Sequence, residues 1–187
     1  LLFTGPSNAG KTTLLHYLRN PNPTSASPST PRTPATDIHL NTHDGRRLLI
    51  NAADLGGFSY RDRHPGGIRQ LRRDYLAAGG VDGVVFVVDA AAVYGDGLEE
   101  ARGEFGELLQ VLGEMEEGRG CAEKKRMPVL VLGNKIDKAG AVAEEELRDL
   151  LGGFSRGEAS RPVGVFMCSV VMGQGYKEGF VWLANNT

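Results

Sequence analysis

The sequence predicts an α/β fold built on a doubly wound, mostly parallel six-stranded sheet with one antiparallel edge strand. Three observations predict it. Short apolar runs alternate with longer stretches of helical periodicity along the chain, the order that winds strands and helices into a parallel sheet. Gly83–Asp89 (GVVFVVD) and Val129–Gly133 (VLVLG) are continuous apolar runs, as strands covered on both faces must be. His43-Asp44-Gly45 separates two strand-like segments, and Asp-Gly is a hairpin turn that supplies the antiparallel edge.

Taken in order, Leu1–Thr4 is a short strand, followed by a Gly-rich turn and a helix over Lys11–Arg19. Pro21–Thr36 is rich in Pro, Ser and Thr and has no periodicity, so it reads as a loop. Asp37–Asn41 and Arg47–Asp54 are the hairpin strands, Gly57–Gly67 is a second loop, and Ile68–Leu76 has helix-compatible spacing. After the Gly83–Asp89 strand, Leu98–Glu117 places Leu98, Ala101, Phe105, Leu108, Leu112 and Met115 on one helical face. Glu144–Leu151 is a short helix, Val163–Ser169 the last strand, and Glu178–Ala184 a final helix with Trp182 and Leu183 turned inward.

A chain of 187 residues is long enough for a single domain with its own core. A net charge of -2 offers no electrostatic footprint for nucleic acid. Cys121 and Cys168 make no disulfide framework and are expected as reduced thiols in a cytosolic chain. No apolar run approaches the roughly 18 residues that span a bilayer. The chain enters on the apolar run Leu1–Phe3 without a Met; this predicts that its natural start lies upstream, where any targeting segment or membrane-binding helix would stand.

Ligands in open α/β sheets bind beyond the carboxyl ends of the strands, and the chemically suggestive residues all follow strands. Gly5–Thr12 reads GPSNAGKT, which matches G-x-x-x-x-G-K-[ST]. Gly5 and Gly10 let the backbone turn successive N–H groups of Ser7, Asn8 and Ala9 into one concavity for phosphate oxygens. The helix that follows adds the positive end of its dipole at Lys11, Thr12 and Thr13. The Lys11 ammonium suits the β- and γ-phosphates, and the Thr12 hydroxyl suits Mg²⁺. These residues define a P-loop NTPase fold without choosing between ATP and GTP.

Asp54-Leu55-Gly56-Gly57 follows an apolar strand. An Asp there can hold Mg²⁺ through its water, and the Gly57 N–H can sense a third phosphate. A Thr of the Pro/Thr-rich loop would complete the Mg²⁺ shell; Thr30, Thr33 and Thr36 compete, with Thr33 favoured.

Asn134-Lys135-Ile136-Asp137 follows the Val129–Gly133 strand and selects the base. A carboxylate at Asp137 offers acceptors alone, and guanine presents two adjacent donors, N1–H and the N2 amine. Adenine would set an acceptor against that carboxylate, a mismatch on the order of several kcal/mol. The Lys135 stem can cover the base face, and Asn134 can tie this loop to the P-loop. The backbone N–H groups of Cys168-Ser169-Val170 are candidates to meet guanine O6.

The stretches GPSNAGKTTLLHYL, NAADLGG, VDGVVFVVDAA, VLVLGNKID and RPVGVFMCSVVMGQGYKEGFVWLAN together resemble the Sar GTPases of the Arf/Sar family of small GTPases. The last stretch is the specific one; the others are common to small GTPases. The resemblance covers nearly the whole chain and implies one G domain over residues 1–187, binding GTP and GDP with Mg²⁺. It further implies a switch that recruits the inner COPII coat subunits for budding from the endoplasmic reticulum. An exchange factor in that membrane would load the switch, and the coat would stimulate hydrolysis. The GTP form would work on the cytoplasmic face of the endoplasmic reticulum, at its exit sites and toward the Golgi, and the GDP form would be cytosolic. The family holds the membrane surface through an N-terminal amphipathic helix, which residues 1–187 do not include.

Three departures stand out. Ser7 replaces the Asp usual in the family's P-loop. The loop between Arg19 and Asp37 is longer and rich in Pro and Thr. Phe58 follows DLGG where the family has the His that positions attacking water, and a Phe cannot hydrogen-bond water. Two explanations compete: Phe58–Arg63 is an insertion and His64 takes the catalytic role, because IRQLRRDY resembles the helix that follows that His; or Phe58 occupies the position and hydrolysis is crippled. The second predicts a GTP-binding interaction module similar to the signal-recognition-particle receptor β-subunit. A P-loop kinase or ATPase is a third, weaker class.

Overall fold

The computed structural model describes residues 1–19, 36–41, 47–54, 73–117, 126–152 and 161–187. Their elements run β1 (Leu2–Thr4), α1 (Lys11–Arg19), β2 (Thr36–Asn41), β3 (Arg47–Asp54), β4 (Val84–Asp89), α2 (Asp96–Glu117), β5 (Val129–Asn134), α3 (Glu144–Leu150), β6 (Val163–Met167) and α4 (Tyr176–Asn186). The six strands form one sheet in the order β2-β3-β1-β4-β5-β6. β2 is antiparallel to β3, and every other neighbouring pair is parallel. The predicted fold class is therefore the observed one.

Period-two alternation decides what each face of the sheet receives. Val84, Phe86, Val88, Val129 and Val131 turn to one side, against Ala101, Phe105, Leu108, Val111 and Leu112 of α2 and Leu147 of α3. Val85, Val87, Leu130 and Leu132 turn to the other, against Leu14, Leu15 and Leu18 of α1 and Phe180 and Leu183 of α4. Both faces are thus covered, which is why the two central strands read as unbroken apolar runs. Phe86 meets Phe105 edge-on at 5.1 Å between ring centroids, a favoured aromatic geometry. At the amino end of the strands, the Arg161 guanidinium donates to both Glu116 oxygens at 2.8 and 2.9 Å and to the Met127 carbonyl at 2.7 Å. This fork ties the end of α2 to the entries of β5 and β6.

Several boundaries differ from the sequence expectation, for local reasons. α2 begins at Asp96 rather than Leu98; acidic Asp96 and Glu99 in its first turn suit the positive helix end. β6 stops at Met167, short of Ser169, because Ser169 turns away to bridge Gln174. α4 begins at Tyr176, two residues before Glu178, after Gly175 at φ 81°. Leu183 is buried as expected, and Trp182 is half-buried beside Phe166. Thr36 belongs to β2, paired with Ala52, so it is strand rather than loop. Of the expected helix at 68–76, residues 73–76 are helical and the helix runs on to 77, while 68–72 lie outside the described residues. The expected hairpin turn at 43–45, the two predicted loops apart from Thr36, and Cys121 lie outside the described residues.

Removing the Phe105 ring strips one of the largest fully buried side chains from the α2 side of the sheet. Phe105→Ala is expected to lower the free energy of unfolding by about 3–5 kcal/mol, read as a lower urea midpoint at unchanged slope.

Candidate functional site

The site is assembled from three loops that leave the carboxyl ends of β1, β5 and β6. Between β1 and α1 the backbone reaches positive φ at Gly5 (130°), Asn8 (60°) and Gly10 (101°). Gly5 and Gly10 also allow close approach. A Cβ on Gly5 would collide with the Val87 carbonyl on β4, and one on Gly10 with the side-chain amide of Asn134. The loop therefore lies against its neighbouring strands with no room for side chains at its two hinges. Ala9 is fully buried beneath it, while Ser7 and Asn8 are exposed.

Lys11 is 4% exposed, and its ammonium folds back to donate to the carbonyls of Gly5 at 2.7 Å and Pro6 at 2.6 Å. The charge needed for phosphate is thus held within the loop. The helical ladder opens with the Leu14 N–H on the Gly10 carbonyl at 2.8 Å, so the N–H groups of Lys11, Thr12 and Thr13 precede it at the helix end. α1 has no acidic residue in its first turn, so no side-chain carboxylate there opposes an anion.

The base loop begins where β5 ends. Asn134 is 3% exposed, and both ends of its amide are used. Nδ2 donates to the Ala9 carbonyl at 2.9 Å, and Oδ1 accepts the Val170 N–H at 3.1 Å. One side chain thereby joins all three loops, which extends the tie to the P-loop expected of it. The next residue, Lys135, adopts φ 70°. Its Nζ donates to the Asn8 carbonyl at 2.6 Å and to Asp89 Oδ2 at 2.6 Å. Lys135 is thus a second strap onto the P-loop besides any cover its stem gives a base.

Asp137 is exposed, and its Oδ1 accepts the Ser169 hydroxyl at 2.5 Å. Ser169 Oγ in turn accepts the Met172 N–H at 3.2 Å, which fixes the direction in which the hydroxyl donates. That hydroxyl bond is the largest cause holding the Asp137 carboxyl below its ordinary range, with the charges of Lys138 and Lys135 assisting. Asp137 is therefore an ionised acceptor at neutral pH. Burial pushes the Cys168 thiol, behind this loop, up to about 12.

The structure brings together Gly5, Ser7, Asn8, Ala9, Gly10, Lys11, Thr12 and Thr13 on one loop and helix turn, with Asn134, Lys135, Asp137, Ser169 and Val170 beside them. Asp54 ends β3 in register with Phe3 of β1, at the same sheet end. Thr30, Thr33, Gly57, Phe58 and His64 lie outside the described residues. The N–H groups expected to meet guanine O6 bond within the protein here, that of Ser169 to the Gln174 carbonyl at 3.1 Å and that of Val170 to Asn134 Oδ1 at 3.1 Å. The Ser169 contribution at Asp137 comes from its hydroxyl instead. Asp89 was missed by sequence reasoning; its signal was a carboxylate closing the apolar run GVVFVVD at the sheet's ligand end.

A lysine-bearing phosphate loop, strapped by an Asn and a Lys to an Asp-bearing base loop, is the arrangement of the P-loop GTPases. The chain belongs to the ADP-ribosylation factor family, which it matches over residues 1–187, and so is a small GTPase that works as a GTP-binding switch. It is 32% identical to the small COPII coat GTPase SAR1 of Giardia intestinalis over 98% of this chain and 87% of that protein. It is 33% identical to the ADP-ribosylation factor-like protein 3 of Chlamydomonas reinhardtii, with the same two coverages. Its fold matches the Arl6 BBS3 small GTPase from Trypanosoma brucei, solved with the nucleotide analogue GppNp, at a TM-score of 0.65 and 24% identity over 98% of this chain and 94% of that one.

Two outcomes follow from this geometry. Asn134→Ala strands a buried carbonyl at Ala9 and a buried N–H at Val170, so unfolding free energy should fall by about 1–3 kcal/mol, with faster loss of bound fluorescent GDP. Ser169→Ala removes the bond that depresses the Asp137 carboxyl. The ionised form is then lost at a higher pH as acid is added, so the acid limb of GDP binding should move upward in a pH titration. An unmoved limb would show that another group sets it.

Proposed function

We propose that this chain is a Sar-type switch whose GTP form assembles the inner COPII coat at the endoplasmic reticulum, loaded there by a membrane exchange factor. The carrying observation is the third loop. The stretch 161–185 that resembles the Sar GTPases supplies Ser169 to Asp137 and Val170 to Asn134, so the segment most particular to that resemblance is built into the base site. Among the relatives, SAR1 proteins of Giardia intestinalis and Nicotiana tabacum, at 32% and 29% identity, support the same reading. The factor-like protein 3 of Chlamydomonas reinhardtii, at 33%, makes a different Arf-like role the outcome to be tested against. Residues 1–187 act in this reading as one G domain, working at the cytoplasmic face of the endoplasmic reticulum and its exit sites and cytosolic in the GDP form. An amphipathic helix of the kind that the resemblance implies would hold it to the membrane surface.

In this reading, Asp137 takes the two donors of guanine while Asn134 and Lys135 hold its loop. The residues of Gly5–Thr13 cradle the phosphates, with Lys11 countering charge on the transferring group as water attacks in line. Thr12 and Asp54 offer a hydroxyl and a carboxylate at one sheet end, the hard oxygen donors that suit Mg²⁺. Thr33 would join them in the triphosphate state, and Gly57 would give its N–H to the γ-phosphate. Mg²⁺ held by these residues would supply charge that neutralises the phosphates. His64 orients the attacking water if Phe58–Arg63 is an insertion. Phe58 directly after DLGG favours the second reading, a GTP-binding module with little turnover.

Nucleotide competition tests the base assignment: GTP should displace labelled GDP and ATP should not, and Asp137→Ala should weaken GTP binding on the order of 10²-fold. Single-turnover hydrolysis with and without inner-coat subunits tests the rest. Coat-stimulated cleavage that collapses in His64→Ala is expected. Stimulated cleavage unchanged in that variant removes His64 from catalysis, and an absent stimulated rate selects the binding module.

A further inference from the structure

Asp89 lies outside every motif that defines the nucleotide site, yet it touches the side chain that straps two of those motifs together. It ends β4 in register with Asn134 on β5. Its Oδ1 accepts the N–H of Ala91 at 3.0 Å, which pins the carboxylate to its own turn, and Oδ2 accepts Lys135 Nζ at 2.6 Å. The side chains of Lys135 and Asp89 are 15% and 18% exposed, so the pair is largely withdrawn from water and little screened. The turn after β4 is itself fastened on two sides. The Ala90 N–H bonds the Asn134 carbonyl at 2.8 Å, and the Ala90 carbonyl accepts the Val142 N–H at 3.1 Å. Asp89 is thus a fixed anion and Lys135 the longer, more flexible partner.

From the fixed end, the same ammonium reaches the Asn8 carbonyl at 2.6 Å. Asn8 and Lys135 both sit at left-handed φ, 60° and 70°, a conformation that non-glycine residues hold where surrounding contacts impose it. A lysine without an anchor would trade this geometry for solvent and rotamer freedom. We propose that Asp89 is a positioning residue for nucleotide retention. It holds the Lys135 ammonium over the Asn8 carbonyl, so that the base loop and the phosphate loop keep one spacing and open together. The proposal rests on the reading of these loops as the guanine-nucleotide site.

The test is the dissociation rate of fluorescent GDP chased with excess unlabelled GTP, measured on the whole chain. Asp89→Ala and Asp89→Asn are expected to speed release about tenfold, the loss of one charge-assisted hydrogen bond. In a Lys135→Ala background, where release is already fast, replacing Asp89 should add nothing. Asp89→Asn keeps an acceptor for the Ala91 N–H but turns the charged acceptor facing Lys135 into a neutral donor, so it carries the test if the Ala variant does not fold. Two results would overturn the proposal: release unchanged in Asp89→Asn, even with a lowered melting temperature, or effects of Asp89 and Lys135 that simply add. Wild-type protein that fails to bind GDP would instead overturn the site reading.

Discussion

The amide of Asn134 is the interaction on which the site depends. It is buried, it has one donor and one acceptor committed, and its partners belong to two loops far apart in the chain. A buried amide left half satisfied costs more than the bond it forms returns, so the three loops are held in mutual position by the penalty for parting. The sheet makes this possible. β1 and β5 flank β4 on either side, and parallel pairing brings both strands to the same edge. Gly10 leaves the gap that the Asn134 side chain occupies; a methyl group there would drive the loops apart.

Around that centre, charge is arranged so that cations approach the P-loop from two directions. Lys11 caps the carbonyls of Gly5 and Pro6 from within, and Lys135 reaches the Asn8 carbonyl from the base loop. Three P-loop carbonyls are thereby turned toward lysine ammonium groups, and the Pro6 carbonyl also takes the Ala9 N–H at 3.4 Å. The base end carries the opposite sign. Asp137 is kept ionised by a neutral hydroxyl rather than by burial against a cation, so its charge remains available to a ligand.

Much of this was legible in the sequence, for identifiable reasons. Gly5, Gly10, Lys11 and Thr12 are chosen by backbone geometry and phosphate chemistry, which short spacing encodes. Val84–Val88 and Val129–Leu132 announce a sheet covered on both faces because every side chain in them must be apolar. What stayed hidden depends on pairings across the sheet. The Asp89 partnership with Lys135 spans 46 positions, and nothing local distinguishes that carboxylate from any other at a strand end. The N–H groups of Ser169 and Val170 looked available because a sequence does not show where a strand stops. β6 ends at Met167, and beyond it the Ser169 N–H goes to Gln174 across the turn while the Val170 N–H goes to Asn134 on β5.

The left-handed backbone at Lys135 has a further consequence. A residue with a long side chain is kept where glycine would rest more easily, held by backbone bonds of its turn to Lys138 and from Ile136 to Cys168 and by its own ammonium reaching two oxygens on other segments. Local preference and tertiary demand are opposed at a single residue, and tertiary demand prevails. The base loop is therefore not a relaxed turn that happens to bear a binding group. It is tensioned between its backbone and its side chain, so the fold spends conformational ease at the very point where it needs a rigid gauge for its ligand.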